Sequence, residues 1–493
     1  MRSVELLHTA RAGDPPVEAM RGVVSAQHPM AAKVGAEILG GGGNVVDAAV
    51  ATAFASAVAD IGRTGIGGYG GHFVFHDAAS AQTWLVDFPS RAPRAAHEQL
   101  FAGSADRAHT GALAVGVPAV VAGLSVAHQR FGRLGWSEIL QPAIQLAENG
   151  IEFGPSGRDP VLAERKRAAA FAETIRVFMD AWDGDRLVQP DLAASLRRLA
   201  THGPRDLYVG QLADRIVSSV RGAGGLLDYS DLADYEPVVE LAPRGGYRSV
   251  ELRTSGAGSG AGVLHPLLRA LNDFDLASLE PLGAPRIGLI AETAGRVWRQ
   301  RLAPGNGPGC TNHFSVADVD GNVVACTTTL QRLLGSAVTV PGTGILLNNA
   351  MALFDPRPGR SNSVGPAKQV ITNMCPTVVL REGRAILSSG ASGGRMIPSM
   401  LTQAFTLAID HGFSMDRALR APRFHHEGDG HLLIEHGLSE AALSLLAAQG
   451  YEIDIHPANG TALGGQAPAI WFDDEGRLFG APDPRRHGAA VAV

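Results

Sequence analysis

Apolar residues recur at helical spacing over 28–40 and again over 45–59, with glycines 40–43 between the two runs. The spacing predicts two helices, and Asn44 stands where a side chain could cap the second. That second run is apolar on most faces, so it is expected to lie buried between layers. A short strand is predicted at 22–26, and another at 72–76 after Gly65-Ile-Gly-Gly-Tyr-Gly-Gly71. Residues 120–240 carry mainly helical patterns, and the charged run 164–167 reads as a solvated helix face. The glycine-rich stretch 254–262 leads into a helix at 263–272. Beyond 310 the apolar period falls to two. Strands are predicted at 311–317, 322–330, 343–347, 376–381 and 385–389, followed by a long helix at 396–411. No internal repeat is present.

The chain has 493 residues, 45% of them hydrophobic, enough for several domains or one large layered unit. Its net charge of −6 and lack of a long basic run give no nucleic-acid footprint. The first twenty residues have no apolar core followed by a small-residue cleavage site, so no secretory signal is read. The longest apolar stretch is broken by Asp47 and is too short to span a bilayer, so no membrane partner is expected. Three cysteines form neither a disulfide framework nor a CxxC pair. The simplest compartment is a reducing cytoplasm, and neither metal nor cofactor is expected.

The most informative segment is Gly-Pro-Gly-Cys-Thr-Asn-His-Phe-Ser-Val, 307–316. A linker, 303–310, runs straight into alternating residues with Thr311 at the junction. A self-cleaving precursor needs this arrangement: the hydroxyl attacks the preceding carbonyl, and the freed α-amine then serves as its base. Cys310 becomes the last residue of the severed segment. Asp320-Gly321 signals a two-residue hairpin. Pairing about that turn sets Thr311 opposite Leu330, with Thr329 one step away. Thr329 could hydrogen-bond the Thr311 side chain from there, but the spacing alone favours reading Thr327, Thr328 and Thr329 as ordinary β-branched strand residues.

Ser389-Gly-Ala-Ser-Gly-Gly-Arg395 joins a strand to a helix. The N–H groups of Gly393 and Gly394 could form an oxyanion hole there. The same stretch fits G-x-S-x-G, so Ser392 is a rival nucleophile, with Asp429 or Glu427 and His431 or His456 in the required order. The glycine loop 65–71 lacks Gly-Lys-Ser/Thr and is followed by a strand, which argues against phosphate. His425-His426-Glu427 with His431 has no H-E-x-x-H spacing and reads as packing or surface histidines.

Several motifs in order resemble the gamma-glutamyltranspeptidases, members of the N-terminal-nucleophile hydrolase superfamily. They are Gly41-Gly-Gly-Asn-Val-Val-Asp-Ala-Ala-Val-Ala51, Thr64-Gly-Ile-Gly-Gly68, Thr311-Asn-His-Phe-Ser-Val with Asp320-Gly-Asn322, Gly344-Ile-Leu-Leu-Asn-Asn349, Ser392-Gly-Gly394, Ala421-Pro-Arg-Phe-His-His426 and Asp483-Pro-Arg485. The resemblance implies an α+β fold, a four-layer αββα sandwich. It implies cleavage between Cys310 and Thr311 into a large subunit, 1–310, and a small one, 311–493, which stay together. Thr311 would be the nucleophile, Thr329 the assisting threonine, and Gly393 and Gly394 the oxyanion glycines.

The chain departs from the family where the γ-glutamyl group is held. The arginine expected after Asp87-Phe88 is Pro89, with Arg91 two positions late. The asparagine two residues past the assisting threonine is Gln331. The residues that grip the substrate amine appear as Ala350 and Leu353, and the serine pair for the carboxylate is Thr372-Asn373. An ammonium left without a carboxylate partner is disfavoured, so an ordinary γ-glutamyl donor is not expected. The expected activity is acyl hydrolysis or transfer from a small-molecule donor to water or an amine, with Arg91, Gln331, Thr372, Asn373 and Arg395 as polar contacts. Alternatives are C–C bond cleavage next to an activated carbonyl in natural-product biosynthesis, an oxamate-type amidohydrolase, a serine hydrolase and an inactive scaffold.

Overall fold

The computed structural model describes residues 7–301, 309–457, 463 and 465–493. Two antiparallel sheets lie face to face. The first has eight strands, with Cys310–Asp318 and Val323–Gln331 at its centre and Gly22–Ala26 and Gly70–Asp77 on either side of them. The second has seven, among them Val250–Thr254, Thr377–Arg381, Arg384–Ser389 and Ala469–Phe472. Val23, Val74, Ala317, Val378 and Ile470 fill the space between the sheets. Helices Pro29–Gly40, Val45–Ala59 and Val120–Phe131 cover the outer face of the first sheet, and Ala261–Leu271, Ala284–Gln300 and Ile397–His411 cover the second. This is the expected α+β, four-layer αββα sandwich. Among the described residues no helix is long and apolar enough to cross a membrane.

Local chemistry sets the elements near the centre. The Asn44 side chain accepts from the N–H groups of Val46 and Asp47, and the Asp47 carboxylate accepts from the Asn44 N–H. This reciprocal cap fixes the start of Val45–Ala59. All 15 residues of that helix are buried, as a helix apolar on every face requires. In Cys310–Asp318, Phe314 and Val316 face the helices while Ala317 faces the second sheet. His313 and Ser315 form a polar seam on the inner side, where the Ser315 hydroxyl lies 3.0 Å from that of Ser388. Burial pushes His313 down to about 3, so its ring is neutral, 2.8 Å from the Thr327 hydroxyl.

Several expectations need correction. The hairpin loop has three residues rather than two. Asp318 N–H donates to the Asn322 carbonyl, and Gly321 takes a φ of +92°. The Asn322 amide clasps the Asp318 carboxylate, favouring this longer loop. The pairing therefore shifts by one, with His313 opposite Thr327. Residues 343–347 form only an isolated bridge, Thr339 to Leu346, because Gly342 and Gly344 bend the chain with φ of +64° each. Arg167 is not on a solvated face: its guanidinium donates to the carbonyls of Leu333 and Gly335 and braces that loop. Residues 303–308 of the expected linker lie outside the described residues.

Candidate active site

The two central strands pair regularly up to Asn312 and Thr328, then slip so that Cys310 meets Gln331. The slip is a β-bulge in Val323–Gln331: Thr329 and Leu330 of that strand together stand opposite Thr311. Thr311 is buried and lines a narrow cleft of about 30 Å³ with Tyr69, Gly309, Gln331, Leu353, Asn373 and Gly394 among its walls. Beside it the Thr329 hydroxyl donates to the Cys310 carbonyl, the carbonyl of the 310–311 peptide bond. The same hydroxyl accepts from the Gln331 N–H at 2.7 Å. Thr329 is held there by its pairing with Gly70 and by the Tyr69 N–H, which donates to its carbonyl at 3.0 Å.

The glycine run 65–71 makes that approach possible. A Cβ on Gly71 would lie 2.1 Å from the Thr327 carbonyl oxygen, and one on Gly67 would lie 2.3 Å from that of Leu346. Close backbone packing is therefore its role here. It also delivers Tyr69, whose phenol is pushed upward by burial, into the cleft.

On the opposite wall, Arg384–Ser389 passes through Gly390–Gly394 into the helix Ile397–His411. Gly393 and Gly394 have φ of +127° and +61°, in the region that favours glycine. Among the described residues, none accepts from their N–H groups. Gly309 packs directly on Gly394: a Cβ on Gly309 would stand 3.0 Å from the Gly394 Cα. Ser392 is engaged elsewhere. Its N–H donates to the Gln466 carbonyl, and its hydroxyl accepts from the Gln466 N–H at 2.9 Å. Of the histidines considered for it, His431 lies near Glu452 on the surface and His456 lies beside Asp454.

The segment that supports Ser392 rests on a buried ion network. Arg423 pairs with Asp483 and donates to the Gly465 carbonyl at 2.6 Å. Asp483 also accepts from the Ala467 N–H at 2.9 Å. Arg485 makes a two-pronged pair with Glu435, at 2.6 and 2.5 Å. The side chains of all four are no more than 5% exposed. Removing one member of such a network leaves a buried charge uncompensated, at a cost of about 3–5 kcal/mol. Asp483→Ala is therefore expected to lower Tm by about 3–5 °C in a chain of this length. Scanning calorimetry checks this; an unchanged Tm contradicts it.

Gln331, Asn373 and Arg395 line the Thr311 cleft, whereas Arg91 and Thr372 do not. Arg91 bridges to Gln369, and its guanidinium lies 5.7 Å from the Tyr235 ring centre. The Thr372 hydroxyl lies 3.0 Å from His72 Nε2, while His72 Nδ1 lies 2.5 Å from Asp87. This relay runs across neighbouring strands, where His72 pairs with Asp87. The sequence reading missed it and Tyr69. A histidine at an inward strand position opposite an aspartate was the available signal. Arg395 is committed to Glu427, its Nε at 2.5 Å from Oε1. Burial alone would raise the Glu427 carboxyl, but hydrogen bonds and charges from His425 and Arg395 outweigh it and hold it at about 2. His425 continues the chain to the Ser399 hydroxyl at 2.8 Å. Beyond Gly394 opens a second cavity of about 390 Å³, lined by His425, His426, Glu427 and Asp429; Gly309 borders both spaces.

The αββα sandwich is the architecture of the N-terminal-nucleophile hydrolases, and here its central strand Cys310–Asp318 carries Thr311 at its second position. The profile of the family described as gamma-glutamyltranspeptidase matches residues 31–306 and 297–493. Acylase ACY 1 proenzyme of Pseudomonas sp. (strain SE83) is 34% identical, with 97% of this chain and 94% of that protein covered. Glutathione hydrolase proenzyme of Escherichia coli (strain K12) is 31% identical, over 95% of this chain and 91% of that one. The crystal structure of cephalosporin acylase from Bacillus halodurans superposes with a TM-score of 0.90 at 24% identity, covering 97% of each chain. The chain belongs to the gamma-glutamyltranspeptidase family, and it is an acylase or hydrolase of that type.

Proposed function

We propose that Thr311 cuts its own chain and then serves as the nucleophile of an acyl hydrolase or acyltransferase. The observation that carries this reading is the Thr329 hydroxyl donating to the Cys310 carbonyl oxygen beside Thr311, at the bulge in the Thr329 strand. A donor on that oxygen polarises the carbonyl and stabilises the oxyanion that forms when the Thr311 Oγ attacks. The peptide C–N bond then breaks, its nitrogen takes the hydroxyl proton, and water hydrolyses the resulting ester. The products are 1–310, ending in a carboxylate, and 311–493, beginning with an amine. Both subunits contribute strands to both sheets, which keeps them together. The proenzyme names of the two relatives support processing of this kind.

In the processed enzyme the α-amine of Thr311 takes the proton of its own hydroxyl as Oγ attacks the donor carbonyl. The oxyanion meets the N–H groups of Gly393 and Gly394. The proton passes to the leaving nitrogen, whose bond to the acyl carbon breaks, and water or an amine releases the acyl group. Gly309 covers Gly394 in the uncut chain, so cleavage both makes the nucleophile and uncovers the oxyanion donors. The acyl group then faces Tyr69, Gln331 and Asn373. The leaving group or acceptor faces the larger cavity toward His425.

p-Nitrophenyl acetate, a small activated ester, tests this reading. Wild type is expected to give a burst of nitrophenol and an acetyl adduct on the fragment beginning at Thr311. Ser392→Ala is expected to keep the burst, since the Ser392 hydroxyl only holds Gln466. An adduct on Ser392, or a burst lost in Ser392→Ala from normally processed protein, would favour the serine elbow instead.

A further inference from the structure

The Thr311 cleft is lined by two amides whose oxygens have no partner among the described residues. Gln331 and Asn373 are 5% and 9% exposed, and both line it. The amide oxygens of both are buried, and among the described residues none donates to them. Buried polar atoms are nearly always paired, so two orphans in one cleft mark a place where a ligand supplies the partner. Gln331 sits at a φ of +87°, in a region disfavoured for a non-glycine residue. Asn373 is fixed from both sides. Thr372 is tied through His72 to Asp87, and its carbonyl accepts from Arg301 at 2.6 Å. On the other side the Met374 carbonyl accepts from the Gly260 N–H.

The same walls lack a free charge. Among the described lining residues the only charged side chain is Arg395, and its guanidinium is paired with the Glu427 carboxylate. Among the described lining residues no carboxylate is present to meet an ammonium, and Leu353, Met374 and Ile397 complete the cleft with apolar surface. A charged group moved here from water would lose its hydration without gaining a counter-ion.

We infer that this acyl subsite takes an uncharged acyl group carrying a hydrogen-bond donor, a hydroxyl or carboxamide, that reaches Gln331 and Asn373. The inference rests on Thr311 being the acyl-accepting nucleophile. Four p-nitroanilides of similar length test it on the processed enzyme: 4-carbamoylbutanoyl (neutral, with N–H donors), glutaryl (anionic), γ-L-glutamyl (zwitterionic) and pentanoyl (apolar). The carbamoyl donor is expected to exceed each of the others by roughly tenfold or more in kcat/KM, as for a site whose buried polar groups go unpaired with the wrong substrate. Gln331→Leu and Asn373→Leu are each expected to narrow the carbamoyl-over-pentanoyl ratio by about tenfold. Preference for the glutaryl or γ-glutamyl donor, or a ratio unmoved in both variants, overturns the assignment. Turnover of p-nitrophenyl acetate alone, with all four anilides inert, also overturns it while sparing Thr311 as nucleophile. Failure with the ester as well strikes both.

Discussion

Thr311→Ala is expected to remain a single 493-residue chain and to lose turnover by about 10⁴- to 10⁶-fold, as removal of a covalent nucleophile does. Two effects coincide. The methyl group cannot attack the Cys310 carbonyl, so no amine is released to act as base. The uncut chain also keeps Gly309 against Gly394, where the N–H groups of the glycine pair would otherwise meet the substrate oxyanion. A Thr311→Ser variant separates these effects from misfolding: its hydroxyl is retained, and it is expected to process and turn over more slowly than wild type. Denaturing electrophoresis and steady-state rates with the same acyl donor give both readouts. Processing of the alanine variant into two fragments, or near-normal rates from it, contradicts the proposed role.

The second large effect is expected at Thr329. Its hydroxyl bonds the Cys310 carbonyl oxygen and receives the Gln331 N–H. Thr329→Val keeps the shape and the β-branch but removes the donor. Loss of one such donor slows acyl chemistry by about 10²- to 10³-fold. Self-cleavage is therefore expected to slow by that factor, measured as the appearance of the 311–493 fragment after synthesis of the uncut chain. A Thr329→Ser variant is expected to process much faster than the valine one. Equal cleavage rates in wild type and Thr329→Val would place the polarising group elsewhere.

Features fixed by neighbouring residues were legible in the sequence. Asn44 and Asp47 lie three positions apart and cap each other, so the start of the buried helix could be read directly. The hairpin after Thr311 was legible in its place but not in its register. The loop length turned on Asn322 reaching back to Asp318 rather than on the Asp-Gly pair alone. Thr329 nonetheless arrives beside the 310–311 peptide, because the shifted register itself carries it opposite Thr311, before the bulge in its own strand.

What could not be read depends on contacts between distant segments. Arg91 follows the strand Gln82–Pro89, and its direction is set by Gln369 and Tyr235, far along the chain. Thr372 lost its apparent place in the acyl pocket to His72, about 300 residues away. Arg395 looked available for a substrate until Glu427 was seen to occupy it. Tyr69 carried no periodic signal inside a glycine run. The family-like Asp483-Pro-Arg485 gave no hint that it would brace the loop beneath the glycine pair through Arg423 and Gly465. These are all charge or hydroxyl assignments decided by which partner is nearest in the folded chain, and sequence spacing does not report that.

The most direct test is mass analysis of purified wild type before and after reaction with an acyl donor. A fragment beginning Thr-Asn-His-Phe, gaining the acyl mass on its first residue during turnover, is the predicted result. Sustained turnover by an uncut chain, or an acyl adduct on any residue other than Thr311, would contradict it.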